Sequence, residues 1–378
     1  MLYLDHAATT PLRPEARRAM EPFLAEAYGN PSGIHAAARR ARDAVEDARE
    51  RAAMLLGVAH PLEIVFTGGG TDSDNLAVAG AALAGEGRGG VVATAIEHEA
   101  VLEAARFAAR LGSPVAIVGV DRDGRVDPDD LASATDHRTA VVSVMAANNE
   151  TGAVQPVAAA VRAIRERGSD VPVHTDAAQA FISTEVSAGA LGADMITLAA
   201  HKFGGPKGTG LLWVRSGIDL EPVLHGGGQE QGLRSGTHNV AGIVGMVGAM
   251  EAAAGERDGF AVRIGRERDA FEGRLLEEIA GAAVTSAGGP RLPQHSHVRF
   301  PGVAAETLLV RLDAAGIAAS AGSACQSGAV QASHVLAAMG FDATAARECV
   351  RFSFGWTTEE GDGASAAAVV AGLVRSLR

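Results

Sequence analysis

The chain has 378 residues, of which 47% are hydrophobic and only 4% aromatic, so a large core must be built mainly from aliphatic side chains. The formal net charge of −12 argues against direct binding of nucleic acid. The two cysteines, Cys325 and Cys349, lack the spacing of a disulfide framework or a thiolate metal site. We find no signal peptide, no membrane-length apolar run and no metal-ligand spacing. The sequence therefore predicts a cytoplasmic protein without metal or membrane contact.

Short apolar runs alternate with charged or alanine-rich segments of helical periodicity, which predicts a mostly parallel sheet covered by helices on both faces. Ligands of such sheets bind at the carboxyl ends of the strands. From about Phe260 the pattern changes to a charged helix, two isolated strands and further helices, which predicts a smaller α+β domain. The predicted strands of the larger sheet are Leu62–Phe66, Val91–Ala95, Val115–Val118, Ala140–Met145, Val171–Thr175, Met195–Leu198 and Gly210–Val214.

The first predicted strand ends in a glycine-rich turn, which runs from Gly68 through Gly70 to Thr71 and opens a helical segment. Backbone N–H groups at such a turn, with a helix N-terminus behind them, can bind a phosphate, and Thr71 can add a hydroxyl. The alternative is an ordinary strand-to-helix turn with polar caps. The lysine and aspartate described below favour the phosphate site.

Two further strand ends carry polar side chains. Glu97 and His98 follow the second predicted strand, and Asn148 and Asn149 follow the fourth. An imidazole there can stack on a cofactor ring and move protons, and an amide can bind a ring hydroxyl or a carboxylate. The alternatives are a surface histidine at a helix start and an asparagine that caps a turn.

The most informative pair is Asp176, at the end of Val171–Thr175, and Lys202, between an apolar run and a glycine-rich turn. Pyridoxal 5'-phosphate (PLP) needs this pair, because a lysine amine forms a Schiff base with its aldehyde and a carboxylate keeps its pyridine nitrogen protonated. Gln179 lies one turn after Asp176 and can reach the ring oxygen. Burial would lower the pKa of Lys202 and favour this chemistry. The alternatives are a helix cap for Asp176 and a solvated loop for Lys202.

Three residues of the C-terminal third are candidates for substrate chemistry. Cys325 lies in a loop of small residues, where an accessible thiol can act as a nucleophile once it is deprotonated, although it could equally have no role. Cys349 lies in an apolar strand and is predicted to be part of the core. Arg351 is flanked by Val350 and Phe352, and a charge in such a strand needs a partner. That partner is either a substrate carboxylate or an internal salt bridge.

In this order, the motifs resemble those of cysteine desulfurases of the NifS/IscS type, in the class V aminotransferase fold family. The resemblance runs nearly from end to end, and the form Gly-Ser-Ala-Cys resembles the group with an extended catalytic loop. The matching motifs are Tyr3–Pro11, Gly29–His35, the Thr71 turn, Glu97-His98, Asn148–Gly152, Asp176–Gln179, His201-Lys202, Gly226–Glu230, Arg234–Thr237, Gly322–Cys325 and Arg351–Ser353.

The resemblance implies an α/β protein of PLP-dependent transferase fold type I, with a mostly parallel seven-stranded sheet. A large PLP-binding domain would span residues 16–258. A smaller α+β domain with the catalytic cysteine loop would combine residues 1–15 and 259–378. The resemblance also implies a homodimer, in which Thr237 of one subunit reaches the cofactor phosphate of the other.

The resemblance further implies PLP as the cofactor. Lys202 would carry PLP covalently, and Asp176 would pair with the pyridinium nitrogen. His98 would stack on the ring, Gln179 would contact the ring hydroxyl, and Asn149 would contact that hydroxyl or the substrate. The phosphate would be bound by Thr71, Gly70, His201 and Thr237.

By the same resemblance, Arg351 would bind the carboxylate of L-cysteine and Cys325 would attack its sulfur, which leaves a persulfide on the enzyme and alanine as product. Lys202 or His98 would move the protons. The sulfur would go to an acceptor protein for iron–sulfur cluster assembly or tRNA thiolation. Alternatives are another class V PLP activity, such as selenocysteine lyase or an aminotransferase, and a non-catalytic sulfur-relay or scaffold subunit.

Two positions depart from the family pattern. Ala199 stands three residues before Lys202, where the family has a phosphate-binding serine, and Asp72 stands where glutamate is usual. Loss of the serine hydroxyl removes one hydrogen bond to the phosphate, worth ~1–3 kcal/mol if nothing replaces it. We therefore expect weaker retention of PLP than in a relative that has this serine.

Overall fold

The computed structural model describes residues 1–85, 89–321 and 333–378. Within these residues, the strands of the large sheet are β2 (Ile64–Thr67), β3 (Gly90–Thr94), β4 (Val115–Val118), β5 (Thr139–Ser143), β6 (Val173–Asp176), β7 (Met195–Ala199) and β8 (Gly210–Val214). The other strands are β1 (Leu2–Tyr3), β9 (Ala283–Val284), β10 (His295–Arg299), β11 (Ile317–Ala318) and β12 (Cys349–Ser353).

Helices cover this sheet and connect its strands. Their bounds are α1 (Pro14–Leu24), α2 (Ala36–Leu56), α3 (Gly70–Ala84), α4 (Glu99–Arg110), α5 (Pro128–Ala134), α6 (Val157–Glu166), α7 (Ala188–Leu191), α8 (Val240–Glu278), α9 (Ala305–Ala314), α10 (His334–Ala338), α11 (Ala343–Arg347) and α12 (Asp362–Leu377). In the part of the chain that the structure describes, none of these helices combines the length and apolarity that a membrane span requires.

The seven strands of the large sheet follow the order β2-β8-β7-β6-β5-β3-β4. Strand β8 runs antiparallel to both of its neighbours, and the other pairs are parallel. The central strands β5, β6 and β7 are buried along their whole length, because helices cover both faces. The predicted mostly parallel α/β sheet is therefore observed, and the strand that ends at Asp176 begins at Val173 rather than at Val171, after Pro172.

The C-terminal part forms an antiparallel sheet of order β12-β10-β9, and β1 pairs in parallel with β11. The N-terminal residues therefore begin against the C-terminal part and cross from there to the large sheet. Helix α8 connects the two parts and begins at Val240, whereas the sequence predicted a helix from Phe260. The residues from Val240 to Met250 are apolar or glycine and are buried, which hides the helical periodicity in the sequence. The expected boundary at 258/259 falls inside this helix.

Candidate active site

Lys202 follows β7 in a short 3₁₀ turn, Ala200–Lys202. Its Nζ donates hydrogen bonds to the carbonyl oxygens of Ala7 (2.7 Å) and Ala8 (3.0 Å). Burial, and then the positive charge of Arg351, lower the pKa of the Lys202 amine to about 8. A large fraction of this amine is therefore neutral and nucleophilic near pH 8.

Asp176 is the last residue of β6, and its side chain is buried with the residue 9% exposed. Its Oδ1 accepts a hydrogen bond from the backbone N–H of Ala178 at 2.9 Å. Gln179 Nε2 donates to the carbonyl oxygen of Ala7 at 2.9 Å, so this one carbonyl accepts from both Gln179 and Lys202. The negative charge of Asp176 also acts on the Lys202 amine and opposes the fall in its pKa. The structure thus brings together the three residues that the sequence placed around the cofactor ring.

The glycine-rich turn joins β2 to the N-terminus of α3, as predicted. Gly69 has a φ of 145°, a conformation that residues with a side chain rarely adopt. Thr71 is exposed in the first turn of α3. A Cβ atom at Gly70 would lie 3.3 Å from the Cβ of Ala199, so Ala199, where the resemblance predicts a serine, packs directly against this turn.

A guanidinium group lies next to the same turn. Asp72 Oδ2 accepts hydrogen bonds from the backbone N–H of Gly68 at 2.7 Å and from Arg234 Nε at 3.0 Å. Arg234 adds positive charge beside the backbone N–H groups, as an anion site requires. Sequence reasoning assigned no role to Arg234, although its place in the matching motif Arg234–Thr237 was a signal for it.

Two histidines flank the lysine and the aspartate. His98 Nδ1 accepts a hydrogen bond from the backbone N–H of Ala100 at 3.1 Å and so caps α4, which was the alternative interpretation of this residue. The His98 residue is exposed at its surface, and partial desolvation by the surrounding chain lowers its pKa. His201 Nδ1 lies 3.2 Å from the hydroxyl of Thr9, and burial followed by the charge of Lys202 lowers its pKa to about 4. His201 is therefore neutral near pH 7.

Arg351 of β12 is 3% exposed and reaches the site from the C-terminal part of the chain. Its Nη2 donates to Asp5 Oδ1 and its Nη1 donates to the carbonyl oxygen of Asn149, both at 2.9 Å. The internal salt bridge, one of the two alternatives, is thus present. Nε has no hydrogen-bond partner within residues 1–85, 89–321 and 333–378. The guanidinium therefore keeps capacity for another acceptor.

The two neighbouring asparagines have different surroundings. Asn148 is fully buried, and its Oδ1 accepts hydrogen bonds from the backbone N–H groups of Glu150 and Thr151, at 2.9 and 3.0 Å. It is the turn-capping asparagine of the alternative interpretation. Asn149 is half-buried and is tied to Arg351 through its backbone carbonyl.

For the two cysteines and Thr237, the structure describes only part of the predicted chemistry. Cys325 belongs to residues 322–332 and is outside the described part of the chain. Thr237 is exposed. Cys349 is 1% exposed and packs in a small apolar cluster, as predicted, and burial raises the pKa of its thiol to about 12. Its thiol is therefore unreactive at physiological pH.

The segment from Asp5 to Thr10 contacts most of the site, and sequence reasoning gave it no role beyond a matching motif. Its carbonyl groups accept from Lys202 and Gln179, its Asp5 carboxylate accepts from Arg351, and its Thr9 hydroxyl meets His201. Most of these contacts use the backbone, whose groups are common to every residue type. Such contacts leave little trace in a sequence.

The profile of the aminotransferase class-V family matches residues 2–362. The chain belongs to this family. A relative named cysteine desulfurase IscS, from Dictyoglomus turgidum, is 42% identical over 361 residues, which cover 95% of this chain and 91% of that protein. Two solved structures are similar as well. One, a NifS-like protein, is 36% identical with a TM-score of 0.92, and the match covers 99% of both chains.

The other solved structure is described as SspA in complex with cysteine. It is 33% identical to this class-V family member with a TM-score of 0.82, over 94% of this chain and 99% of that one. These findings confirm the sequence-based assignment to class V enzymes of the NifS/IscS type and to fold type I. PLP is the cofactor of this family, so the predicted cofactor is confirmed too. The role of each site residue stays a prediction.

Proposed function

We propose that this enzyme is a cysteine desulfurase, which converts L-cysteine to L-alanine and transfers the sulfur to Cys325. One observation carries the proposal. Lys202, Gln179 and the buried Arg351, which has an unused N–H group, all contact the segment from Asp5 to Ala8, and the charge of the buried Asp176 acts on the Lys202 amine. Cysteine desulfurases among the relatives, and a bound cysteine in a structural neighbour, support the choice of reaction and substrate.

The residues present fit PLP. Lys202 offers an amine that is partly neutral near pH 8, and Asp176 offers a carboxylate with one oxygen engaged by Ala178. When it is bound, PLP supplies a ring that accepts an electron pair from the substrate. Lys202 would hold the cofactor, Asp176 would keep a proton on the ring nitrogen, and Gln179 and Asn149 would contact the ring hydroxyl. His98 would cover the ring.

The turn of Gly70 and Thr71, together with His201, would bind the phosphate of the cofactor. Arg234 lies beside that turn through its contact with Asp72 and would add positive charge there. Thr237 is exposed, and in our proposal it reaches the phosphate of a second subunit in a homodimer. The catalytic unit is then a pair of chains.

Arg351 binds the carboxylate of the substrate. Its Nε has no partner in the described residues, and Asp5 can yield Nη2, so a substrate carboxylate that reaches the guanidinium would make a two-point contact. Because Arg351 is tied to Asn149 as well, this contact fixes the substrate relative to the strand end after β5. Asn149 thereby acts on both cofactor and substrate.

The sulfur step balances without an added oxidant. The Cys325 thiolate attacks the substrate sulfur, so that an S–S bond forms while the C–S bond of cysteine breaks. The electron pair of the broken bond goes to the carbon skeleton, which takes up protons from Lys202 or His98 and leaves as alanine. One cysteine and one enzyme thiol give one alanine and one persulfide. A later thiol or acceptor protein takes the sulfur, for iron–sulfur cluster assembly or tRNA thiolation in a cytoplasmic pathway.

We further propose that residues 16–258 form the PLP-binding domain, and that residues 1–15 and 259–378 form the domain with the cysteine loop. The pairing of β1 with β11 supports this division, because it attaches the N-terminus to the C-terminal part of the chain. Arg351 and Cys325 would then belong to the same domain. The domain that binds the substrate carboxylate would thus also carry the thiol that takes up the sulfur and later delivers it.

The test is the release of alanine and sulfide from L-cysteine, with a reductant present, by the wild type and by Lys202→Ala and Cys325→Ala. We expect equal amounts of both products from the wild type and a loss of both in each variant. Cys349→Ala is the matched control, because it removes the buried thiol and should leave turnover in place. Selenocysteine and keto acids are assayed in parallel.

Each other outcome points to another function. Persistent release of alanine and sulfide by Cys325→Ala would contradict the persulfide step and favour a lyase that needs no thiol. Amino transfer to a keto acid that survives in Cys325→Ala would favour an aminotransferase. A wild type that stays colourless with added PLP would favour a non-catalytic sulfur-relay or scaffold subunit.

A further inference from the structure

Three neighbouring strands carry polar side chains on one buried face, behind Asp176. Ser143 of β5 lies opposite His174 of β6, and Thr197 of β7 lies opposite Asp176. His174 and Asp176 are two residues apart on one strand and therefore face the same side of the sheet. Ser143, His174 and Thr197 are fully buried. Buried strands of this kind are usually apolar, so this polar row calls for a physical explanation.

The polar row continues into a hydrogen-bonded chain with a carboxyl group at each end. Glu97 Oε2 lies 3.4 Å from the Ser143 hydroxyl, and that hydroxyl lies 2.9 Å from His174 Nδ1. His174 Nε2 lies 2.9 Å from the Thr197 hydroxyl and 3.7 Å from Asp74 Oδ1. Thr197 in turn interacts with the Asp74 carboxyl group of α3. The chain is thus Glu97–Ser143–His174–Thr197–Asp74.

All hydrogen bonds in such a chain run in the same direction, from the carboxyl group that donates a proton to the carboxyl group that accepts one. Each hydroxyl donates a single proton, and a neutral imidazole carries one N–H, so one carboxyl end must donate while the other accepts. Burial lowers the pKa of His174 to about 3, which keeps the imidazole neutral. The sequence of donors and acceptors is therefore set by which of the two carboxyl groups, Glu97 or Asp74, carries the proton.

The surroundings of the two ends differ. Glu97 Oε1 accepts from the Thr94 hydroxyl at 2.7 Å and from the backbone N–H of Met145 at 2.8 Å. These bonds stabilise the ionised carboxylate, so Glu97 is suited to be the accepting end of the chain. Asp74 is 1% exposed, and its Oδ1 has no hydrogen-bond partner in the described part of the chain. Burial, and then the charge of Asp176, raise the pKa of Asp74 well above its usual range and outweigh the opposing hydrogen bond with Thr197. Asp74 therefore carries the proton and is the donating end.

We propose that this chain is a positioning network for Asp176: it directs the proton of Asp74 to Thr197 and so leaves the Asp176 carboxylate free for the ring nitrogen of the cofactor. Asp176 and Thr197 lie side by side on β6 and β7. The charge of Asp176 also acts on the Asp74 carboxyl group. Without the Thr197 hydroxyl, we expect Asp74 to donate its proton to Asp176 instead. A hydrogen bond from Asp74 would make Asp176 less basic, and the ring nitrogen would lose its proton more easily.

The charged and titratable groups that act on this cluster are Asp74 of α3, Glu97 after β3, His98 at the start of α4, Asp176 of β6 and Lys202 after β7. Burial raises the pKa of Glu97 to about 7. The measurements below are therefore made at one fixed pH above 8, where Glu97 is ionised and His174 stays neutral. The inference rests on the proposed pairing of Asp176 with the cofactor.

The first experiment uses the wild-type holoenzyme with 15N-labelled histidine. The proposed direction requires the proton of His174 on Nδ1, with Nε2 as an acceptor from Thr197. Infrared spectroscopy should also show a protonated carboxyl band that Asp74→Asn removes. A proton of His174 on Nε2, a doubly protonated imidazole, or the absence of that band would overturn the proposal without any need for a folded Thr197 variant.

The second experiment reconstitutes the enzyme with PLP labelled with 15N in the pyridine ring. Thr197→Val, which keeps the side-chain shape, should shift the ring-nitrogen signal toward the unprotonated form and raise the dissociation constant of PLP about tenfold. Thr197→Ser, which restores the hydroxyl, should return both to wild-type values. A Thr197→Val protein with an unchanged ring-nitrogen signal contradicts the network.

Asp176→Asn separates this inference from the proposed role of Asp176. The variant should lose ring-nitrogen protonation altogether, because the carboxylate itself is gone. If Asp176→Asn leaves the ring nitrogen protonated, the pairing of Asp176 with the cofactor is wrong and the network has no target. If Asp176→Asn abolishes protonation of the ring nitrogen and Thr197→Val leaves it unchanged, the pairing of Asp176 with the cofactor stands and only the proposed network is wrong.

Discussion

Two buried clusters of charged groups in this chain differ in how completely they are hydrogen-bonded. Arg49 and Glu230 form a two-point ion pair with both N···O distances at 2.7 Å, and Glu230 also accepts from the backbone N–H of Phe66 and from His238. Although burial raises the pKa of Glu230, the bonds from Arg49 and His238 lower it to about 2. The Glu230 carboxylate therefore has hydrogen bonds to both of its oxygens.

The cluster around Lys202, Asp176 and Arg351 is buried too, but it retains unused capacity. The Lys202 amine has a lowered pKa, and the Nε of Arg351 has no hydrogen-bond partner in residues 1–85, 89–321 and 333–378. Buried polar groups with every bond made contribute to stability, whereas groups with bonds to spare can bind a ligand. We therefore expect substitutions in the Arg49–Glu230 cluster to affect stability, and substitutions around Lys202, Asp176 and Arg351 to affect binding and catalysis.

The largest expected effect is on stability. Arg49→Met leaves Glu230 buried without its partner, and we expect a loss of about 3–5 kcal/mol in the free energy of unfolding. The matched control is Arg51→Met, two residues further along α2, whose ion pairs with Asp47 and Glu251 are partly exposed and worth about 1 kcal/mol or less. Urea titration with PLP present measures both. Equal losses of unfolding free energy in the two variants would show that the buried ion pair contributes no more to stability than the exposed ones.

The second prediction concerns the lowered pKa of Lys202. Only the neutral amine attacks the aldehyde of PLP, so the rate of covalent PLP binding to the apoprotein should rise with pH through a midpoint near 8 and then level off. An amine with an ordinary pKa would keep gaining rate up to about pH 10.4. Visible absorbance in stopped-flow mixing follows the reaction, and Lys202→Ala gives the background. A midpoint near 10 would show that the amine is not desolvated.

The third prediction concerns Arg351. Arg351→Gln removes the charge that is proposed to bind the substrate carboxylate, and we expect kcat/KM for L-cysteine to fall about 10- to 100-fold, the worth of a charge-assisted hydrogen bond. PLP loading should change little. Arg299→Gln on the neighbouring strand β10, which breaks a partly exposed pair with Glu348, is the control and should leave kcat/KM nearly unchanged. An equal fall in kcat/KM in both variants would contradict the proposed contact between Arg351 and the substrate carboxylate.

The smallest effect is expected at Ala199. Because Ala199 packs against the phosphate turn at Gly70, Ala199→Ser should add one hydroxyl near the phosphate and tighten PLP binding by about 1 kcal/mol, or about fivefold. The dissociation constant of PLP from equilibrium dialysis measures the gain. Ala200→Ser, at the next buried position, is the control. An unchanged affinity in Ala199→Ser would mean that the missing serine is already replaced by another group.

Local pattern alone determined much of this protein. The apolar runs predicted every strand of the large sheet within a few residues, because strand periodicity and flanking turns are properties of short segments. The same reasoning placed Asp176 and Lys202 at neighbouring strand ends, since parallel strands end at one edge. It missed the start of α8, whose first turns are apolar on all sides and so show no helical periodicity.

Only the tertiary structure decided which groups meet. Asp5 and Arg351 are 346 positions apart, and the carbonyl of Ala7 lies 195 positions from the lysine that it holds. The chain from Glu97 to Asp74 joins side chains of three strands, a helix and a loop, each of which alone looks like an ordinary buried polar residue. Sequence patterns report a residue's own burial and periodicity, whereas hydrogen-bond partners are set by how distant segments pack. The sequence therefore predicted which residue types carry the chemistry, whereas only the fold determined their hydrogen-bond partners.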